Sequence, residues 1–184
     1  MEPKTKILDA AAIDRSMARI THEILERNRG VQNLCLLGVK RRGVPLARRL
    51  ADNIERFEGV RVPVGTIDIT LYRDDLSETD DLPTAGACEI PCDVRDHHVI
   101  IVDDVIYTGR TARAAMEAVF THGRPLSLQL AVVVDRGHRE LPIRPDFVCK
   151  NIPTAKTERV FVAVDELDGE SAVYLTQPTQ KENS

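Results

Sequence analysis

Asp103 and Asp104 are adjacent carboxylates, and close behind them comes Thr108-Gly109-Arg110-Thr111, a turn carrying two hydroxyls, a glycine and a guanidinium. A turn of this kind opening a helix is built to hold phosphate. Free N–H groups at a helix start carry partial positive charge, Gly109 lets backbone approach a ligand closely, and Thr108 and Thr111 add hydroxyl donors. The carboxylates cannot serve that phosphate. They are better suited to accept hydrogen bonds from sugar hydroxyls, or to lie near a divalent cation shared with the ligand. A ribose 5-phosphate would satisfy both halves. On the residues alone, an acidic strand end followed by an ordinary capped helix is the competing reading. Neither a Walker motif nor Gly-x-Gly-x-x-Gly occurs, which disfavours nucleoside triphosphate and dinucleotide sites.

The elements around the acid pair fit this use. His98 to Val102 is an apolar, mostly β-branched run that suits a central parallel strand covered on both faces. The segment from Ala112 to Phe120 is a strong helix former closed by Gly123. Earlier in the chain, Asp9 can cap a helix that runs to about Asn28 and is closed by Gly30. On that helix Arg15, Arg19, His22 and Glu26 share one face, which alone reads as solvated surface. Leu34 to Leu37 is a strand, followed by the basic loop Gly38-Val39-Lys40-Arg41-Arg42-Gly43 and a helix opened by Pro45 and running to about Phe57. That loop is either a second anion site or a solubilising cluster.

Further strands are expected at Val62–Leu71, Ser127–Val134, Val160–Val164 and Ala172–Leu175. Residues 72–96 are acidic, aperiodic and punctuated by Pro83, Gly86 and Pro91, as in a functional lid or hairpin excursion. The polar end, 177–184, is expected to be disordered. Alternating strands and helices predict an α/β fold with an open, mostly parallel sheet flanked by helices and ligands at the strand C-terminal ends.

A length of 184 residues with 42% hydrophobic content supports one core and a single domain. A net charge of −4 excludes a generally basic coat, so any nucleic-acid contact must use a local patch. The absence of Trp speaks against an aromatic platform for single strands. The N-terminal residues show no signal peptide and no membrane span, so the cytoplasm is expected. Four cysteines fit reduced thiols there; Cys88, Cys92, His97 and His98 match no common closed zinc spacing and are expected to be unliganded.

The segment Val99–Thr111 resembles the phosphoribosyl diphosphate (PRPP) motif of the type I phosphoribosyltransferases. The segments 68–75, 134–144 and 150–154 resemble one branch of that family, whose members regulate pyrimidine operons by attenuation and act as uracil phosphoribosyltransferases. The likeness runs from about Leu8 to Leu167. It implies that PRPP and uracil give uridine monophosphate (UMP) and pyrophosphate with Mg²⁺, held mainly through PRPP rather than by direct protein ligands. It implies that Asp103 and Asp104 hold the ribose hydroxyls, and that Val105, Ile106, Tyr107, Thr108, Gly109, Arg110 and Thr111 hold the 5-phosphate. Lys40, Arg41 and Arg42 would take pyrophosphate together with a catalytic Arg73, a flexible loop would close to keep water from the glycosyl cation, and Arg136 and Val160 would frame the base under a small C-terminal hood. Purine-salvage relatives typically carry an Asp at the position of Tyr107, which argues against a purine substrate. The branch also binds the leader mRNA of pyrimidine genes, for which Arg19, His22, Arg27, Arg139, Arg144 and Lys150 are the candidates, completed across a homodimer or higher oligomer. Relatives are expected to carry Thr where Ala18 and Arg41 stand, which bears on RNA specificity. An RNA-binding regulator with little catalysis is the alternative.

Overall fold

The computed structural model describes residues 4–72 and 88–177. Arg73 and most of the expected loop therefore lie outside the described residues, as does the expected tail beyond Gln177. A five-stranded sheet, all parallel, has the order β3-β2-β4-β5-β6, from Val64–Ile67, Leu34–Val39, His98–Ile106, Ser127–Asp135 and Phe147–Asn151. β4 is its centre, as its uninterrupted apolar run requires.

Helices α1 (Ala10–Asn28) and α2 (Gly43–Glu58) cover one face, where Ile13, Met17, Ile20, Ile24, Leu46, Leu50 and Ile54 pack on Leu36, Ile100 and Val133. Helix α3 (Arg110–Phe120) covers the other, laying Ala112, Ala115, Ala118 and Val119 on Leu37, Ile101, Leu130 and Val132. The small alanines let α3 lie close against the strands. A second, antiparallel sheet of order β1-β8-β7 joins Lys4–Leu8, Ala172–Thr176 and Arg159–Ala163, with the short helix α4 (Asp165–Asp168) between β7 and β8. This is the hood.

Several expected boundaries change. Asp9 does cap α1, accepting from the Ala12 N–H at 2.8 Å, but the chain turns left-handed at Arg29 (φ 57°), one residue before Gly30. β3 is shorter than expected because Asp68 accepts from the Thr70 N–H and turns the chain into a 3₁₀ segment, Thr70–Tyr72. β4 continues through the acid pair to Ile106 instead of stopping before it. β1 and β6, each only five residues long, are additions to the expected strands.

Candidate active site

The acid pair sits inside β4 near its C-terminal end, where strand alternation sends the two side chains to opposite faces. Each carboxylate bends back onto the next peptide: Asp103 accepts from the Asp104 N–H at 2.9 Å and Asp104 from the Val105 N–H at 2.8 Å. Burial pushes the Asp103 carboxyl well above the usual carboxylate range, and the neighbouring Asp104 charge adds to this. Asp104 is raised by burial too, opposed by the Val105 N–H and by the positive charge of Arg42. Asp103 lines a cavity of about 120 Å³ with Tyr107, Thr108, Gly109 and Thr111, at the start of α3.

Gly109 is the N-cap of α3 with φ 95°, a left-handed conformation, and a Cβ there would lie 3.4 Å from the Leu141 Cβ. The turn is braced from behind by a segment that sequence reasoning did not assign to it. The Thr108 carbonyl accepts from the N–H groups of Glu140 and Leu141 at 2.9 and 3.1 Å, and Glu140 pairs with Arg110 at 2.8 Å. Arg139 donates to the Tyr107 carbonyl at 2.9 Å, to Asp135 at 2.5 Å and to the Ile143 carbonyl at 2.8 Å.

The basic loop reaches the same strand end through two glycines. A Cβ on Gly38 would lie 2.5 Å from the Gly43 carbonyl oxygen, and one on Gly43 would lie 2.2 Å from that of Val102. Only glycine lets the loop and the start of α2 nest against β4 beside Asp103. Lys40 lies 3.5 Å from Asp68, Arg41 is exposed, and Arg42 is paired with Asp168 of the hood at 2.8 Å. Asp68 is held below the usual carboxylate range, chiefly by its bond from the Thr70 hydroxyl, with Lys40 contributing.

Arg136 is buried and bridges the hood to the turn. It donates to the Glu158 carbonyl at 2.7 Å and to the Thr154 hydroxyl at 3.3 Å, while its guanidinium lies 4.0 Å from the Tyr107 ring centre. His138 meets the Thr154 carbonyl at 2.6 Å and the Tyr107 ring edge-on at 6.0 Å. Val160 is half-buried on β7. The base-side candidate Arg136 and the turn that begins at Tyr107 thus belong to one assembly, to which His138 is an addition.

An acid pair near the end of the central strand, a hydroxyl-bearing turn at a helix start and a flanking basic loop now stand at the C-terminal end of β4. The phosphoribosyl transferase domain model matches residues 4–167. The chain belongs to the phosphoribosyltransferase family. Among curated relatives, a protein of Clostridium novyi named Bifunctional protein PyrR is 59% identical over 175 residues, covering 95% of this chain and 98% of its own length. The Bacillus subtilis protein of the same name is 57% identical over 177 residues, with coverages of 95% and 98%. The hypoxanthine phosphoribosyltransferase of Trypanosoma cruzi shares the fold, with a TM-score of 0.70 at 22% identity over 95% of this chain and 97% of that one.

Of the basic residues expected to meet RNA, two come together where α1 packs on the edge strand β6. Arg19 donates to the carbonyls of Val148 and Cys149 at 2.8 and 3.0 Å, and Arg27 pairs with Asp146 at 2.9 Å. Arg144 and Lys150 are exposed in the loop before β6 and on β6, but on the other face of the sheet: Arg144 lines a cavity with Ala112 and Met116 of α3, and Lys150 shares the side of Val148. His22 is exposed on α1 but stacks on Phe57 of α2 at 4.3 Å. Arg139 is not with them: its side chain is 19% exposed and its donors are engaged behind the phosphate turn. His97 bonds the Asp93 carbonyl and His98 bonds Ser127, each at 2.7 Å, while burial pushes the Cys35 thiol up and that of Cys149 up to about 12.

Proposed function

We propose that this phosphoribosyltransferase moves ribose 5-phosphate from PRPP to uracil, giving UMP and pyrophosphate, and that with UMP bound it also binds the leader mRNA of pyrimidine genes. The observation that carries the transfer is the continuity of the acid pair with the turn Val105–Thr111, with the Lys40–Arg42 loop nested on the same strand. The regulatory half is supported by the name shared by relatives at 53–59% identity, which calls them bifunctional, and by the exposed bases Arg144 and Lys150 in and before the edge strand β6.

In this reading the turn's N–H groups and hydroxyls hold the 5-phosphate, while Asp103 and Asp104 accept from the ribose hydroxyls and so fix the sugar relative to the breaking bond. Lys40, Arg41, Arg42 and Arg73 stabilise the charge growing on departing pyrophosphate, the electrostatic contribution that this chemistry most needs. Arg136 and the backbone at Val160 frame the base, with the Tyr107 ring fixed beneath the Arg136 guanidinium. The hard carboxylate oxygens beside the sugar fit Mg²⁺, which when bound neutralises the diphosphate and is held mainly by substrate oxygens and water. Bases in the active site and on the α1–β6 face are far enough apart in role that catalysis and RNA binding can be tested separately. The protein is mixed with PRPP, Mg²⁺ and each nucleobase in turn. UMP from uracil with purines inactive is expected; hypoxanthine converted faster than uracil would overturn the base assignment.

A further inference from the structure

Arg42 and Arg49 lie two turns apart on α2 and both grip the hood. Arg49 offers its Nε and Nη2 edge to both oxygens of Glu166, at 2.9 and 2.5 Å, and its Nη1 to the Ser171 hydroxyl at 3.0 Å, so this clamp is closed. Arg42 offers the same edge to both oxygens of Asp168, at 3.3 and 2.8 Å, and lays its guanidinium 4.6 Å from the centre of the Phe161 ring. Its Nη1 edge makes no hydrogen bond among the described residues. The same side chain belongs to the basic loop and is close enough to Asp104 for its charge to act on that carboxylate.

A guanidinium is a rigid planar fork with donors on more than one edge, so an oxyanion on one edge and a ring against the face fix where the remaining donors point. A donor already held in place binds a second oxyanion without losing side-chain freedom. We propose that Asp168 and Phe161 are positioning residues for the diphosphate subsite, fixing Arg42 so that its open Nη1 edge takes a diphosphate oxygen. The hood that covers the base and the loop that takes the diphosphate are then seated as one unit, through side chains more than a hundred residues apart in sequence. This rests on the reading of the chain as a PRPP-dependent transferase.

The test is calorimetric titration of magnesium pyrophosphate into the full chain, beside steady-state KM values for PRPP and uracil. Asp168→Asn keeps the size and an oxygen to accept the Val164 N–H that Asp168 now binds at 2.9 Å, but faces Arg42 with an amide in place of a carboxylate. Pyrophosphate should bind about tenfold more weakly, as for loss of one charge-assisted contact, and KM for PRPP should rise with kcat changed less. Phe161→Leu should shift both in the same direction by less, and it serves if Asp168→Asn does not fold. Glu166→Gln opens the Arg49 clamp on the same short helix and should leave pyrophosphate binding unchanged. Because Asp168 acts through Arg42, adding Asp168→Asn to Arg42→Gln should cause no further loss. Wild-type affinity in Asp168→Asn, an equal loss in Glu166→Gln, or additive losses in the double variant would overturn the proposal. If no base is converted while pyrophosphate binding follows the expected pattern, the transfer reading fails and the clamp stands.

Discussion

Asp103 is held in a place that disfavours its own charge. Its carboxyl is raised by burial and by Asp104, so between the ordinary carboxylate range near pH ~4 and its raised value the native state holds more protons than the unfolded chain. Stability therefore falls as pH rises through that window and stays lower above it. Asp103→Asn carries no such proton and keeps the shape, so its Tm should exceed wild type by about 2–4 °C at pH 8, the equivalent of ~1 kcal/mol for a domain of this size. The gain should vanish at pH 4. With Asp103 holding the ribose hydroxyls as proposed, the same variant should lose roughly 10²-fold in turnover. Asp104→Asn should lose activity similarly but gain less stability, because Arg42 already offsets part of its burial. Melting curves from pH 4 to 8 beside initial rates check both; equal stability at every pH with full activity would reduce the pair to a strand end.

At the level of elements, the turn proposed to hold the phosphate is a loop made rigid by its neighbours. Its backbone oxygen at Thr108 is held by the peptides of Glu140 and Leu141, and Gly109 lies left-handed against Leu141. Gly109→Ala places a side chain in a conformation that disfavours it by about 1 kcal/mol or more and presses on Leu141. Stability should fall by that order, and KM for PRPP should rise more than kcat falls, because the N–H groups that hold the phosphate move while the carboxylates do not. Unchanged PRPP kinetics would place the phosphate elsewhere. The start of α3 was readable because Thr-Gly-Arg-Thr between an apolar strand and an alanine-rich helix is a local pattern. Its support by residues 139–143 was not, since nothing in that stretch records which loop it will meet.

For the whole molecule, the question is whether one face can bind RNA while the chain is negative overall. Arg19 and Arg27 reach the edge strand β6 from α1, where Glu23 and Asp146 neutralise them in part, while Arg144, in the loop before β6, and Lys150, on β6 itself, are exposed. Phosphate contacts release counterions, so log affinity for the leader RNA should fall linearly with log salt, with a slope shallower by about one for each contacting residue lost. Arg144→Ala with Lys150→Ala should thus weaken RNA and flatten the slope by about two, leaving uracil transfer intact. If UMP tightens RNA, linkage requires RNA to tighten UMP by the same factor. Filter binding across salt, with and without UMP, measures both. No nucleotide effect and an unchanged slope would leave this face as solvated surface.

The sequence by itself determined what is local. Covalent spacing puts Asp103 and Asp104 a fixed few residues before Thr108-Gly109-Arg110-Thr111, β-branched runs make strands, and alanines make α3; from these the parallel α/β fold and a candidate site joining an acid pair to a helix-start turn could be read. The tertiary structure decided which distant residues join them. Arg139 lies among basic residues in the chain yet is turned behind the Thr108–Thr111 turn, where Asp135 and the carbonyls of Tyr107 and Ile143 accept from it. Short segments such as Lys4–Leu8 and Phe147–Asn151 become strands because Ala172–Thr176 and Ser127–Asp135 each have a free edge to pair. Arg42 meets Asp168 because Gly38 and Gly43 leave no side chain between the loop and β4. Backbone pairing and close approach of this kind depend on partners far along the chain, and no local pattern encodes them.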